Sequence, residues 1–130
     1  MIIWSDEYLI GIKDIDSQHK EFFSICRKFE LLMQVPDGVY IADDALKILC
    51  ELRDYITFHF YTEESYMKKT GYKNFDEHKK EHDELKKRIM DVDVNNIFNG
   101  NNIELRILLN LLYGWIMNHV QIKDMELRSC

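Results

Sequence analysis

The residues best suited to chemistry in this sequence are histidines, and two of them stand one helical turn from another metal-ligand side chain. His59 precedes Glu63 by four residues, and His78 precedes His82 by four residues. Residues four apart lie on the same face of an α-helix, so each pair could direct two ligand atoms at one metal ion. Either pair alone is weak evidence, because such pairs occur on many solvated helices. The strength of the signal depends on where the remaining histidines lie.

Four amphipathic stretches, joined by short polar loops, are predicted to position these residues. We expect helices at about residues 17–35, 43–69, 75–91 and 102–127, behind an N-terminal arm at residues 1–16. One proline and five glycines in 130 residues favour long helices over a turn-rich β fold. The predicted fold class is therefore all-α, an up-down antiparallel four-helix bundle with an N-terminal arm, in a single domain of residues 1–130.

Turn and cap residues mark the predicted ends of these helices. Side-chain caps are expected at three helix starts: Asp16 or Ser17, Asn74 with Glu77, and Asn101 with Glu104. Pro36-Asp37-Gly38 is expected to end the first helix, and Gly71 to stop the second. Residues 95–102 are rich in asparagine and glycine, so we predict a loop there.

The charge and hydropathy of the chain argue against nucleic-acid and membrane partners. The net charge is −6, and no extended Lys/Arg-rich segment is present to meet a phosphate backbone or an anionic lipid surface. The most apolar segment, residues 103–120, is interrupted by Glu104, Arg106, Asn110 and Asn118, so it is not predicted to span a membrane.

The cysteines and the N-terminus favour a cytoplasmic location. The first residues lack the basic and apolar regions of a signal peptide. Cys26, Cys50 and Cys130 are odd in number and share no C-x-x-C spacing, which is typical of reduced thiols rather than of a disulfide or zinc framework. We expect Cys26 and Cys50 to serve as small core residues.

All five histidines fall on the stripes predicted to face the core. They are His19 on the first helix, His59 on the second, His78 and His82 on the third, and His119 on the fourth. A single histidine on an apolar face is more often a hydrogen-bonded core residue than a ligand. Burying five imidazoles without partners is unfavourable for each of them, and a metal is one partner that all five could share.

Two carboxylates share these faces, and one of them has an awkward spacing. Glu63 lies one turn after His59, whereas Asp124 lies five residues after His119. On an ideal helix that interval places Asp124 about 140° round the axis from His119, because each residue turns about 100°. For both to reach one site, the last helix must widen locally, as a π-helix does, or Asp124 must reach around it. The alternative is that Asp124 is a solvated acid near a helix end.

The ligand types narrow the choice of metal. Imidazole suits zinc, copper, iron and nickel, and bridging carboxylates favour two ions held together. Seven ligands are too many for one tetrahedral zinc, but they suit two six-coordinate ions that share both acids. The zinc motif H-E-x-x-H is absent, as is the pair of E-x-x-H motifs of ferritin-like bundles. A nitrogen-rich di-iron site is therefore the better fit.

The complete pattern resembles the hemerythrin family, and most of all its stand-alone bacterial members, the bacteriohemerythrins. The matching pieces span nearly the whole chain: Trp4, Gly11-Ile12, Ile15 to His19, His59-Phe60, Glu63-Glu64, Met67, His78-x-x-x-His82, and Trp115 to His119 with Asp124. The family also places its last histidine and aspartate five residues apart. The seven-ligand pattern is far more specific than any of its pieces.

The resemblance implies a cofactor of two iron ions, Fe2+/Fe3+, with an oxo or hydroxo bridge. It assigns one iron to three histidines, His78, His82 and His119. It assigns the other iron to two histidines, His19 and His59. Two carboxylates, Glu63 and Asp124, would bridge both ions. The iron with two histidines keeps an open position, and the resemblance implies that dioxygen binds there.

The implied function is reversible dioxygen binding for storage, delivery or scavenging, without enzymatic turnover. An apolar oxygen pocket is expected around five residues: Phe22, Phe60, Trp115, Ile116 and Val120. No lysine, arginine, cysteine or further acid stands at a matched pocket position, which weighs against acid–base catalysis. Two alternatives stay open: a di-iron enzyme that reduces peroxide or nitric oxide, and an oxygen- or iron-sensing module. The resemblance names dioxygen as the partner and no protein that receives it.

Overall fold

The computed structural model describes residues 2–36 and 38–129, and every regular element in that part of the chain is a helix. The helices are α1 (Lys13–Leu32), α2 (Ala42–Thr70), α3 (Phe75–Met90), α4 (Val94–Phe98) and α5 (Ile103–Trp115). The α5 helix continues directly as a π-helix (Ile116–Lys123) and then as a 3-10 helix (Asp124–Ser129). The N-terminal arm contains one 3-10 turn (Asp6–Tyr8).

The predicted all-α bundle with an N-terminal arm is confirmed. Helix α1 packs against α2 and α5, and α2 packs against α3, so α5 with its extension is the fourth long helix. The main core fills one end of the bundle, where Phe29, Leu49 and Leu112 are fully buried. A smaller apolar cluster, which includes Ile15 and Met67, fills the other end.

The start of α1 differs from the prediction. The helix begins at Lys13 instead of about residue 17, and Ile12 occupies the cap position without a side-chain cap bond. Asp16 lies inside the helix, where its carboxylate accepts hydrogen bonds from the backbone N–H groups of Ile10, at 2.8 Å, and Gly11, at 3.0 Å. The predicted cap at Asp16 or Ser17 was therefore wrong, because Asp16 folds the arm back onto the first turn. The helix also ends at Leu32, and tighter turns carry the chain on towards Pro36.

The other helix ends agree with the prediction in position but not always in bonding. Gly71 adopts the left-handed conformation, with φ of 68°, and closes α2 as expected. Asn74 precedes α3, but its side chain makes no cap bond. Before α5, the side chain of Asn101 accepts from the N–H of Ile103 at 3.1 Å, whereas Glu104 accepts from the N–H of Asp93.

Helix α4 lies in the segment for which a loop was predicted. Asp93 caps it through a hydrogen bond from the N–H of Asn95 at 2.9 Å, and Ile97 is buried in the main core. The asparagine and glycine content of residues 95–102 predicted a loop, but part of this segment forms a single capped helical turn, which the buried side chain of Ile97 packs against the bundle. The turn continues the connection between α3 and α5 without changing the bundle topology.

The two described cysteines differ in burial, which the sequence did not predict. Cys26 is fully buried in the core, as expected, and burial raises the pKa of its thiol. Cys50 is exposed on α2, because its neighbours Leu49 and Leu52 occupy the buried stripe. Its expected core position was wrong. Cys130 lies outside the described residues.

No helix in the described part of the chain is both long and apolar enough to cross a bilayer.

Candidate metal centre

All five histidines and both predicted carboxylates meet in the middle of the bundle. Their side chains come from α1, α2, α3 and the π-helix with the residue that follows it, and each residue is at most 4% exposed. On α1, His19 lies between the two apolar clusters, since Ile15 belongs to one cluster and Phe22 to the other. The structure therefore encloses these polar side chains between two layers of apolar packing.

The ligand atoms form two groups that share their carboxylates. In what we call the two-histidine cluster, one ligand atom from each member lies within 4.8 Å of the others: His19, His59, Glu63 and Asp124. The three-histidine cluster satisfies the same limit: Glu63, His78, His82, His119 and Asp124. Two adjacent groups with common acids are the arrangement expected of a dinuclear site.

The two oxygens of Glu63 face opposite clusters. Oε2 lies 3.1 Å from Nε2 of His59 and 3.4 Å from Nε2 of His19. Oε1 lies 2.7 Å from Nε2 of His78 and 3.0 Å from Nε2 of His82. One carboxylate can therefore offer one oxygen to each of two ions.

Asp124 is divided between the clusters in the same way. Its Oδ2 lies 3.2 Å from Nε2 of His19, and its Oδ1 lies 3.0 Å from Nε2 of His78 and 3.0 Å from Nε2 of His119. It reaches this position because the segment between His119 and Asp124 is a π-helix, in which the N–H of Asp124 donates to the carbonyl of His119. Of the two possibilities left open by the spacing, the structure shows the local widening.

Several buried polar atoms at the centre have no hydrogen-bond partner in the described protein. These atoms are both ring nitrogens of His19, Nδ1 of His78, Oε2 of Glu63 and both oxygens of Asp124. Facing nitrogens and oxygens lie 3.0–3.4 Å apart, yet these contacts lack hydrogen-bond geometry. Unpaired buried groups of this kind are unfavourable. Cations at the centre would satisfy the inward-facing atoms, so the residues fit a metal pair.

The protein without metal concentrates opposite charges at this centre. Burial alone would lower the pKa of His19, but its close contacts with the Asp124 and Glu63 carboxylates outweigh burial and raise that pKa to about 10. The same competition raises the pKa values of His78 and His119 to about 9. Burial prevails at His59 and lowers its pKa. The surrounding imidazoles hold the pKa values of both carboxyls below their usual range.

Three histidines also form a hydrogen bond through Nδ1, the ring nitrogen that points away from the centre. Nδ1 of His59 lies 2.8 Å from Oε1 of Gln18, and the amide of Gln18 in turn donates to Thr62. Nδ1 of His82 lies 2.8 Å from Oε2 of Glu64. These outer contacts leave Nε2 of each ring facing inward.

The third outer contact joins Nδ1 of His119 to Oε2 of Glu81, at 3.2 Å. Gln18, Glu64 and Glu81 were not predicted from the sequence as parts of the site. The available signal was their position, since each of them directly adjoins a predicted ligand in the sequence.

Aromatic rings cover the imidazoles of the three-histidine cluster. Phe60 stacks on His82 with ring centroids 4.0 Å apart and planes 2° apart. Trp115 stacks on His119 at 3.8 Å and 13°. The five residues predicted to line an oxygen pocket all belong to the main core or pack against it: Phe22, Phe60, Trp115, Ile116 and Val120. All of them are buried except Trp115, which is half-buried.

Tyr55 is a further residue beside the site that the sequence did not single out. Its ring stacks on His59, with centroids 5.5 Å apart, and also stacks on Phe22, with centroids 5.6 Å apart. Its hydroxyl donates a hydrogen bond to the carbonyl of Gln18. Burial raises the pKa of this phenol well above its usual value. Tyr55 is therefore a neutral, hydrogen-bonded wall of the two-histidine cluster.

Comparisons with known proteins agree with this geometry. A family model, the hemerythrin HHE cation binding domain, matches residues 10–128. The chain is 33% identical over 126 residues to a bacteriohemerythrin of Clostridium acetobutylicum, covering 97% of this chain and 98% of that protein. It is 30% identical over 123 residues to a bacteriohemerythrin of Pseudomonas aeruginosa, covering 95% and 76%. A bacteriohemerythrin of Methylococcus capsulatus is 30% identical over 125 residues, covering 95% and 91%.

The fold and the site define a class, the helical-bundle metal-binding proteins whose ligands are imidazoles and carboxylates. Within that class, the chain belongs to the hemerythrin family. Family and ligand cluster together point to iron as the metal.

Proposed function

We propose that the protein binds dioxygen reversibly at two iron ions and serves to store, deliver or scavenge it. The observation that carries the proposal is the sharing of both carboxylates, because Glu63 and Asp124 each present one oxygen to each histidine cluster. Under this proposal His19 and His59 hold one ion, and His78, His82 and His119 hold the other.

The unequal number of histidines supports an open position on one ion. Three imidazoles and two carboxylate oxygens of the three-histidine cluster would supply five of the six ligands of an iron ion there. The two-histidine cluster would supply one protein ligand fewer, which would leave a coordination position on its ion that the protein does not fill. Iron that cycles between Fe2+ and Fe3+ supplies, and then takes back, the electrons that reversible binding requires.

The chain's own contribution is to keep this open position dry. Phe22, Phe60, Ile116 and Val120 are each at most 5% exposed, and none of them can donate or accept a proton. Tyr55 directs its hydroxyl to a backbone carbonyl and presents only its ring to His59. A wall without acids or bases favours release of dioxygen over its reduction, so we propose a carrier and not an enzyme.

The test is optical and should begin with the reduced protein under anaerobic conditions. We expect two irons per chain, no colour before exposure to air, and a visible charge-transfer band afterwards. Removing dioxygen should restore the colourless form without consuming a reductant. Two irons per chain without the band would overturn oxygen binding. A band that disappears only as reductant is consumed would instead identify an enzyme that reduces dioxygen or a related substrate.

A further inference from the structure

We propose that Glu64 and Glu81 are positioning residues that orient His82 and His119 and make these two imidazoles stronger electron donors. The ion of the three-histidine cluster is then bound more tightly, and stays oxidised more easily, than the ion of the two-histidine cluster. Gln18 orients His59 in the same way but adds no charge. This inference rests on the proposed di-iron function, since it concerns how the chain treats its two ions unequally.

The contacts of Glu64 and Glu81 fix the tautomers of two rings. An ionised carboxylate only accepts hydrogen bonds, so Nδ1 of His82 and Nδ1 of His119 must carry the proton that each donates. Nε2 is then the nitrogen of each ring that faces the centre and is left to bind a metal, and the two Nε2 atoms converge to 3.2 Å. The carboxylates therefore prepare both rings as ligands.

Stacking and hydrogen bonding restrain different aspects of the orientation of the His82 and His119 rings. Phe60 lies flat on His82, and Trp115 lies flat on His119, so packing fixes the planes of the two imidazoles. Stacking alone does not decide whether Nε2 or the ring carbon Cε1 faces the centre, because a half-turn of the ring exchanges these atoms and keeps the same plane. The hydrogen bond to Glu64 or Glu81 makes that choice.

The charge on the outer partners differs between the two clusters. In the three-histidine cluster, two rings donate to carboxylates. In the two-histidine cluster, His59 donates to the neutral amide of Gln18, and Nδ1 of His19 has no partner among the described residues. A carboxylate behind a ligating histidine makes the imidazole a stronger donor, and a stronger donor favours the more highly charged ion. The imidazoles of the three-histidine cluster are therefore stronger electron donors than those of the two-histidine cluster, so the two metal ions would differ electronically.

The two acids should not act equally. The Glu64 contact is shorter, at 2.8 Å, and its side chain is 18% exposed, whereas the Glu81 contact is 3.2 Å and its side chain is 35% exposed. Glu81 also borders an open groove of about 370 Å³ beside His119, so solvent screens its charge more strongly. We expect Glu64 to have the larger effect.

The test compares substitutions that keep the hydrogen bond but change the charge. Glu64→Gln and Glu81→Gln each remove a negative charge behind a histidine, and Gln18→Glu adds one behind His59. Glu84→Gln is the matched control, because it removes the same charge from the exposed face of α3, three positions from Glu81. Two readouts are needed: affinity for Co2+ added to the metal-free protein, and the midpoint potential of the iron-loaded protein.

We expect Glu64→Gln to weaken Co2+ binding about tenfold and to raise the midpoint potential. Glu81→Gln should have smaller effects of the same sign, and Gln18→Glu should lower the potential. If Glu64→Gln changes both quantities no more than Glu84→Gln does, only net charge matters, and the inference is overturned. Unchanged potential in Gln18→Glu would overturn it as well.

The two readouts separate this inference from the proposed function. Co2+ binding does not depend on dioxygen, so a protein that fails to bind dioxygen but shows the expected order of Co2+ affinities would contradict only the proposed function. Reversible dioxygen binding with no difference between Glu64→Gln and the control would contradict only the role of Glu64 and Glu81.

Discussion

At the residue scale, Glu63 is one of the two carboxylates that both clusters share. It is fully buried, and its two oxygens lie within 3.4 Å of four histidine nitrogens. A carboxylate in such a place is stable only while positive charge surrounds it, whether that charge is a metal ion or protonated imidazole. His59 and His19, in contrast, each contribute to one cluster only.

This difference predicts two distinct losses of metal. Glu63→Ala should lose both ions, whereas His59→Ala should lose the ion of the two-histidine cluster and retain about one iron per chain. Iron analysis of protein loaded anaerobically measures both. Phe58→Ala is the control, because Phe58 directly precedes His59 but is 61% exposed on the outer face of α2. Full iron content in either ligand variant would show that the ligand assignment is wrong.

A hydroxyl group placed in the apolar wall should shorten the lifetime of the oxygenated protein. Val120 is 2% exposed in the main core, and Val120→Thr replaces one methyl with a hydroxyl of similar size. We expect faster decay of the visible band in air, and a loss of about 1–3 kcal/mol in the free energy of unfolding from the buried polar group. Val39→Thr, at an exposed position, should change neither quantity. Equal decay rates in the two variants would exclude Val120 from the pocket.

At the scale of helices, the sequence predicted the four long elements because hydrophobic periodicity marks their buried faces. It did not predict where α1 begins. Asp16 is a residue type that commonly caps helices, yet its carboxylate accepts hydrogen bonds from the backbone of the N-terminal arm. The sequence also did not predict α4, whose single turn depends on Asp93 and on the burial of Ile97. Such features are decided by contacts between segments, and the sequence pattern of one segment does not contain them.

The candidate site was more predictable than the helix ends. Seven ligand-type side chains at helical spacing could be placed on facing stripes, and the His119–Asp124 interval itself indicated a π-helix as one solution. The outer residues Gln18, Glu64 and Glu81 were not found, because a polar residue beside a ligand is equally common on a solvated face. Only the orientation of the rings in three dimensions separates the two cases.

Substitution of two glycines by alanine should change the free energy of unfolding in opposite directions, because the two residues have different backbone conformations. Gly71 has φ of 68°, and a Cβ added there meets no atom within 4 Å, so Gly71→Ala would introduce backbone strain alone. We expect the free energy of unfolding to fall by about 1–2 kcal/mol. Gly114 lies in α5 with ordinary helical geometry and the same free space, so Gly114→Ala should raise it by about 0.4–1 kcal/mol.

Urea unfolding of both glycine variants measures the effects, with iron content as a check that the centre is intact. Effects of the same sign would show that the C-terminus of α2 does not depend on a left-handed residue.

At the scale of the whole molecule, the centre connects all four long helices. Its ligands come from α1, α2, α3 and the extension of α5, so bound ions would cross-link the bundle. Iron bound to the folded chain at a free concentration 100 times its dissociation constant should stabilise the protein by about 2.7 kcal/mol for each ion bound. Thermal unfolding of iron-loaded and chelator-treated protein under anaerobic conditions measures this difference. Identical transitions would contradict binding at the bundle centre.

A second connection, at the opposite end of the bundle from the smaller cluster, ties the arm to α1 and α5 through Glu30. Its carboxylate accepts hydrogen bonds from the hydroxyl of Tyr113, from the N–H of Ile2 and from Arg27. Burial alone would raise the pKa of Glu30, but these three bonds outweigh it and lower that pKa from 4.5 to about 2. Because the folded protein binds the proton more weakly than the unfolded chain, the stabilisation is complete above pH 4.5 and is lost as the pH falls towards 2.

Glu30→Gln tests this connection, since it keeps the shape of the side chain and removes the charge. At pH 7 we expect the free energy of unfolding to fall by about 1.5–3 kcal/mol, the range for hydrogen bonds to a charged group. The gap between wild type and variant should narrow steadily below pH 4.5, because Glu30 of the unfolded wild-type chain then takes up a proton that folding must release. Urea unfolding from pH 7 to pH 3 measures the gap. Glu51→Gln, which breaks an exposed pair with Lys28, should cost less than about 1 kcal/mol, so an equal effect from Glu30→Gln would show that Glu30 does not hold the arm to the bundle.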